Sequence, residues 1–327
     1  MFRDLAKEDV IAVINFIRSL CWVTGLLIAT AANSQDSEPQ ALDNVTLQLR
    51  WVPQAQFIGY YVADTLGFYE QEGVSVSIVP GGPGVNPVES LSDGSVDVAV
   101  EWLSSALESR EFGHRPVNIA QILQRSSLMI ICKKERGIRF TEDLINKTIS
   151  VWSGSSSLGM TRWLTGLERQ YGRDVRTIKI KRQEDAMTSW AEQSTDCISA
   201  TSYNEYWQLL DAGLPFDDIS IFRFENFESN LLEDGLYVDQ ERLKDPKFID
   251  VITRFTRASL SGWEFAVKRP AEAVEILLQR FPHLDRLHQR RMTAEIIQTF
   301  LLVYVLRIVS VQMEWTAPKL GARLTAQ

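Results

Sequence analysis

Between Val45 and Val100 the hydrophobic period of the chain switches repeatedly between that of a strand and that of a helix, and this restricts the fold more than any other feature. Val45, Leu47, Leu49 and Trp51 alternate with polar residues, which predicts a half-buried strand. Ile58, Tyr61, Val62, Leu66 and Tyr69 then fall at helical spacing, with Gly67 and Gly73 loosening and ending that helix. Val74, Val76 and Ile78 alternate with Ser75 and Ser77 as a second strand, and the turn Pro80-Gly-Gly-Pro-Gly84 follows. Asn86 is placed to cap the next helix, with Pro87 at its first position and Glu89 where a capping-box carboxylate belongs. Ser95 to Val100 reads as a third strand. The order βαβαβ requires a mainly parallel sheet covered by helices.

The pattern recurs further along. Thr148 to Trp152 and Thr177 to Ile180 read as strands flanking a helix from Leu158 to Tyr171, and a helix through Ala186 and Trp190 leads to the strand Asp196 to Ala200. A local echo relates the halves: Ser95-x-Asp97, a strand and the helix Trp102 to Leu107 parallel Ser194-x-Asp196, a strand and the helix Tyr203 to Asp211. Two α/β lobes are therefore expected, with chain crossings near Cys132 to Phe140 and Phe222 to Asn230. Lobe 1 is expected to take residues 45–135 and 230–327, and lobe 2 residues 136–229. The apolar run from Thr299 to Val311 contains Arg307 and is short for a membrane span, so it is expected to pack on lobe 1, with a partner-binding helix as the alternative.

At the N-terminus Arg3, Lys7 and Arg18 precede the apolar run Leu20 to Ile28 and the small residues Ala29-Thr-Ala-Ala32, the order of a secretory signal peptide over residues 1–31. An uncleaved anchor is the alternative. Cys21 opens the apolar run, whereas a lipid-attachment cysteine would follow it, so a free soluble protein is expected. Cleavage after Ala31 leaves under 300 residues, enough for a core in each of two lobes. With a formal charge of −8 and a pI of about 5.1, nucleic acid is excluded as a partner. The histidines 114, 283 and 288 are scattered, and no His/Cys spacing suits a metal. Cys132 and Cys197 both sit in apolar strand-like contexts and are expected to be buried free thiols rather than a disulfide.

Candidate site residues lie where strands end and helices begin, the edge at which open α/β sheets bind ligands. In the first lobe they are Trp51, Gln54, Gln56, Tyr60, Gly82, Glu101 and Trp102. In the second they are Trp152, Ser153, Gly154, Ser155, Tyr203, Asn204 and Glu205. Aromatic plates beside amides, carboxylates and hydroxyls suit a flat ring with a polar edge. Each residue also has an ordinary role: a tryptophan packs in cores, Asn204 and Glu205 can cap a helix, and Trp152 to Ser157 can be a Ser/Gly turn or hold an anion at a helix N-terminus.

Trp51-Val-Pro-Gln-Ala-Gln-Phe-x-Gly-Tyr-Tyr-Val-Ala63, Gly67-Phe-Tyr-x-x-Glu-Gly73, Gly94-x-Val-Asp97, Tyr203-Asn-Glu-Tyr-Trp207, Leu232-Glu-Asp-Gly-Leu236 and Leu243-Lys-Asp-Pro246 resemble the solute-binding proteins of the thiamine-pyrimidine synthase-like group, over roughly Val45 to Phe281. The resemblance implies a type II periplasmic-binding-protein fold with two α/β lobes around a ligand cleft. It also implies a monomeric periplasmic component of an ABC importer, whose partners are a small molecule and a membrane permease. Ligands in the group are thiamine pyrimidine precursors, riboflavin and, more distantly, sulfonates; the Gln-rich segment and Tyr203 to Tyr206 look most like the pyrimidine- and flavin-binding branch. Where that branch has a larger aromatic and Asn/Glu-containing stretch after the tryptophan matching Trp152, this chain has Ser153-Gly-Ser-Ser-Ser157.

The synthases of the group use a lysine that holds pyridoxal phosphate and a histidine one turn later. Here those positions are Glu101 and Ser105, and the synthases' cysteine-rich tract is replaced by Leu231 to Tyr237. Without an amine no Schiff base forms, so a non-enzyme without a cofactor is expected, with the synthase and a sulfonate-binding protein as rivals. Capture is expected to sandwich the ring between Trp51 and either Trp152 or Trp102, with Gln54, Gln56, Asn204 and Glu205 at its edge. N-terminal sequencing of the exported protein should begin near Ala32; recovery only in membranes with the leader intact would contradict the cleavage.

Overall fold

The computed structural model describes residues 41–152, 157–172, 175–226 and 232–310. Strand β1 (Asp43–Gln48) is followed by α1 (Ile58–Thr65) and α2 (Phe68–Gln71), separated by Gly67 in the left-handed region at φ 71°, and then by β2 (Val74–Val79). Helix α3 (Pro87–Ser92) starts on Asn86, whose side chain accepts from the Glu89 N–H at 3.4 Å, and leads to β3 (Val98–Glu101), α4 (Leu103–Glu111) and β4 (Pro116–Leu123). The middle of the chain supplies β5 (Leu128–Lys133), β6 (Thr148–Trp152), α5 (Ser157–Tyr171), β7 (Lys179–Gln183), α6 (Ala186–Ala191), β8 (Cys197–Thr201), α7 (Glu205–Asp211) and β9 (Ile219–Arg223). The last part returns as β10 (Glu233–Asp239), α8 (Pro246–Lys268), α9 (Pro270–Arg280) and α10 (Arg286–Ser310).

Among the described residues these strands form two five-stranded sheets, ordered β2-β1-β3-β10-β4 and β7-β6-β8-β5-β9. In each, the parallel trio that follows from the βαβ pattern is extended by antiparallel strands. The strand expected at Thr177 to Ile180 lies at Lys179–Gln183, because Val175–Thr177 forms a turn of 3-10 helix. The first crossing also lies earlier than expected. Leu128–Lys133 hydrogen-bonds to β8 and β9, so it belongs to the second sheet although the sequence put it before residue 135, and the chain crosses at residues 124–127. It returns between β9 and β10.

The first core packs α1, α8, α9 and the start of α10 on its sheet through residues such as Phe255, Trp263, Leu277, Met292 and Phe300. The apolar segment at the C-terminus thus continues a helix whose earlier turns are seated on the first lobe. Helices α1 and α8 meet backbone to backbone: a Cβ on Gly262 would stand 2.1 Å from the Gly59 carbonyl oxygen. Tyr60, expected in the site, instead belongs to this core, 1% exposed and edge-on to Trp263 at 5.7 Å. Its place on α1 faces the helical layer. Two aromatic residues cross over between the cores: Trp102, which follows β3 of the first sheet, packs in the second core, and Tyr203, which follows β8 of the second sheet, packs in the first.

The crossings are clasped by one buried carboxylate. Glu233, on the returning strand, accepts hydrogen bonds from Ser126 Oγ at 2.6 Å, Ser127 N at 2.9 Å, Ser127 Oγ at 2.5 Å and Leu128 N at 3.3 Å on the outgoing one. The expectation of free thiols is overturned: Cys132 and Cys197 form a disulfide. The antiparallel register of β5 on β8 sets the two residues directly opposite, with Cα atoms 4.0 Å apart, a pairing that neither local context reveals. The leader expected at 1–31 and the segment Ser153 to Ser156 lie outside the described residues.

For a closed loop spanning a sequence separation of 65, chain-entropy scaling gives the disulfide about 4 kcal/mol of stabilisation. Denaturant unfolding of the Cys132→Ala, Cys197→Ala double variant should show a loss of that order. An unchanged midpoint would mean that the bridge contributes nothing.

Candidate functional site

A cavity of about 520 Å³ opens between the carboxyl ends of the two sets of strands. Its walls include Trp51, Gln54, Gln56, Gly82, Glu101 and Trp102 from the first lobe, and Trp152, Tyr203, Asn204 and Glu205 from the second. The fold thus brings together every described candidate except Tyr60; Ser153, Gly154 and Ser155 lie outside the described residues. Arg50, Arg182, Gln183, Glu184 and Thr201 also line the cavity and were not anticipated from the sequence.

The first wall is built from backbone. Gln48, buried at the end of β1, donates to the carbonyls of Leu49, Val79 and Pro80 at 2.9, 3.3 and 3.0 Å, and Gly81 N donates to Trp51 O at 2.9 Å. Only glycine permits that approach, since a Cβ on Gly81 would lie 2.3 Å from the Leu49 oxygen. Trp51 is thereby presented at the cleft mouth, where its ring meets Trp152 of the other lobe edge-on, with centroids 5.5 Å apart and planes at 71°. A sandwiched ring needs parallel plates about 7 Å apart, twice a van der Waals spacing of about 3.5 Å. The two indoles are not so arranged here, and one face of Trp102 is already taken by the Arg50 guanidinium, 3.9 Å from its ring centre.

The floor is a set of paired charges. Arg50 is bound to Glu101 Oε1 at 3.1 Å, and the same oxygen accepts the Trp102 N–H at 2.7 Å. Asp234, 2% exposed, accepts from Trp102 Nε1 at 2.9 Å and Gln56 Nε2 at 2.7 Å, while Gln54 Nε2 donates to Gln56 Oε1 at 2.8 Å. Its backbone holds φ at 46°, a left-handed conformation that aspartate tolerates better than most side chains. Burial pushes the Asp234 carboxyl up to about 6, opposed by Arg50 and its two hydrogen bonds, and pushes Glu233 up to about 7, opposed by the serine hydroxyls. Asp234 escaped the sequence reading as a site residue although it stands in Leu232-Glu-Asp-Gly-Leu236; adjacent acids in an apolar run were the available signal.

The second wall starts at the end of β8. Glu205 Oε2 accepts from Thr201 N at 2.8 Å and Thr201 Oγ1 at 2.6 Å, and its Oε1 accepts from Asn204 Nδ2 at 2.8 Å. Three donors leave one of the roughly four acceptor sites of a carboxylate. Arg182 on this side is paired with Glu184. Both arginines that line the cavity are thus matched by carboxylates. A pyridoxal phosphate held as a Schiff base does not fit: among the described residues lining the cavity there is no lysine, and Glu101, which the resemblance matched to the synthases' lysine, is bound to Arg50. No group of His, Cys, Asp and Glu among the described residues could hold a metal, and no described helix is long and apolar enough to cross a membrane.

A family model described as NMT1/THI5 like matches residues 54–273. A formylaminopyrimidine-binding protein of Halalkalibacterium halodurans is 24% identical over 263 residues, covering 77% of this chain and 75% of the relative. Riboflavin-binding protein RibY of Chloroflexus aurantiacus is 24% identical, with 77% and 70% covered. A 4-amino-5-hydroxymethyl-2-methylpyrimidine phosphate synthase of Legionella pneumophila is 23% identical, with 73% and 74% covered. Among solved structures, the alkanesulfonate-binding protein SsuA of Xanthomonas axonopodis pv. citri superposes with a TM-score of 0.61 at 14% identity, over 83% of this chain and 94% of that one. The sulphonate-binding SsuA of Escherichia coli gives 0.58 at 17% identity, over 82% and 94%. The architecture is therefore the two-lobed fold of periplasmic binding proteins.

The raised carboxyls set a pH dependence. Both acids hold their protons more tightly when folded than at their ordinary values of 3.8 and 4.5, so the folded state binds more protons between about pH 4 and 7. Their contribution to stability is full below that window and falls as pH rises through it. Asp234→Asn should flatten the fall of the thermal midpoint between pH 4 and 6; an unchanged profile would show that Asp234 titrates normally.

Proposed function

We propose that this chain, which belongs to the NMT1/THI5-like family, is the solute-binding component of an ABC importer, exported to the periplasm, and captures a planar heteroaromatic molecule such as a thiamine pyrimidine precursor or a riboflavin-like vitamin. One observation carries the reading. Three indoles and Glu205, with one acceptor site left, converge on one cavity at the strand ends, while each arginine there is paired with a carboxylate. Such a cavity favours a ring with a hydrogen-bond donor over an anion, which would find both arginines already paired. The names of the two binding-protein relatives agree with this ligand class. The position of Glu101, where the synthases need an amine, supports transport over catalysis.

Capture in this reading begins with separation of Trp51 from Trp152. A ring entering between them exchanges their edge contact for two stacked faces, and contacts made to both lobes then favour the closed arrangement. Glu205 accepts a donor on the ring edge with its remaining lone pair, and the Asp234 relay keeps Gln56 and Trp102 in place beneath.

Isothermal titration against riboflavin, 4-amino-5-hydroxymethyl-2-methylpyrimidine, its formylaminopyrimidine precursor and taurine tests the reading. A ring compound should bind and taurine should not. Trp51→Ala should weaken ring binding by about 2- to 12-fold from lost stacking. Glu205→Ala should weaken it by about 5- to 150-fold from an unpaired donor in a buried site. Binding of taurine alone, or unchanged ring affinity in both variants, would refute the assignment.

A further inference from the structure

The helix α10 is seated on the first core through Met292, Ile296 and Phe300, yet its first turns reach the second lobe. There Arg291 pairs with Asp211 of α7 at 2.5 Å, and His288 Nε2 lies 2.9 Å from Asn204 Oδ1. Asn204 is 4% exposed and stands in the cavity wall between β8 and α7. Its amide is held on both sides. Oδ1 faces His288 Nε2 and the Gln208 Nε2 donor at 3.1 Å, and Nδ2 donates to Glu205 Oε1 at 2.8 Å. A flipped amide would point its NH2 at the Gln208 donor and its oxygen at the Glu205 carboxylate, so both contacts would turn repulsive. An amide oxygen only accepts; the imidazole nitrogen facing it must therefore carry the hydrogen, which fixes the tautomer.

We propose that His288 is a positioning residue for the ligand site: reaching across from the first lobe, its Nε2–H holds the Asn204 amide, and through it Glu205, in the orientation in which both face the cavity. His288 does not line the cavity, so it acts only through Asn204. Burial holds the imidazole below its ordinary range; Asp211, Glu205 and Asp285 act against that and Arg291 with it. The neutral ring with its hydrogen on Nε2 is the form the geometry requires, and a second proton would go to Nδ1 and leave the bond to Asn204 intact. The binding consequence rests on the proposed function, whereas the tautomer and its dependence on Asn204 belong to the free protein.

Two measurements decide it. In the ligand-free protein, long-range 1H–15N correlation should show His288 as the Nε2–H tautomer at pH 7.5, and Asn204→Ala should remove that preference; an Nδ1–H tautomer in the wild type would overturn the proposal. With riboflavin and 4-amino-5-hydroxymethyl-2-methylpyrimidine as probes, His288→Ala should weaken binding about 5- to 10-fold, the worth of one buried hydrogen bond. His288→Gln, whose amide N–H can replace the imidazole donor, should recover to within about twofold of wild type, and His288→Ala added to Asn204→Ala should cost nothing further. Equal affinity of His288→Ala and wild type, equal loss in the Ala and Gln variants, or additive losses would each overturn it. If wild type binds neither probe nor the formylaminopyrimidine precursor, the functional reading fails on its own, and the tautomer still decides the role of His288.

Discussion

The adjacent carboxylates of Glu233 and Asp234 are the point on which the rest of the molecule turns. Each is 2% exposed, so each needs an almost complete set of hydrogen bonds to be tolerated. Glu233 takes its set from the outgoing crossing and Asp234 takes its own from the cavity floor. Two consecutive residues thereby join the chain crossings to the cavity. Further along, the register of β10 on β4 shifts by one residue between Leu236 and Tyr237.

The hydrophobic periods revealed the order of strands and helices because β1 and β2 keep an apolar–polar alternation, while β3 and β8 are buried along their whole length. They failed at β7, an edge strand whose burial is too uneven to keep a clean alternation. They also could not say to which sheet Leu128–Lys133 belongs, since its apolar run fits either and only hydrogen bonding decides. The cysteine pair was missed for the same reason: opposition across an antiparallel ladder depends on register, and register depends on partners distant in the chain.

Most of the candidate site was legible because its aromatics and amides sit at strand ends, where α/β topology collects them. Tyr60 was misplaced because its spacing allows either face of α1, and the close contact of Gly59 with the Trp263 region turned it inward. Arg50, Asp234 and His288 were invisible as site residues because their roles lie in pairings across large sequence separations, 51 for Arg50 with Glu101 and 132 for Trp102 with Asp234. A sequence window shows what a residue is, and these roles depend on what it meets.

The exchange of Trp102 and Tyr203 between the two cores has an energetic reach beyond packing. Any opening that withdraws both rings returns to water side chains that typically bury 150–250 Å² each. At about 25 cal/mol per Å² that is roughly 4–6 kcal/mol per ring, before any compensation by solvent or by rotation of the rings. Where the receptive form requires both rings to leave, it is a minor population, and the affinity measured for a ligand is its intrinsic affinity scaled by that fraction. Residues that never touch the ligand, but set how readily Trp102 and Tyr203 leave their adopted cores, therefore tune the concentration at which the protein fills.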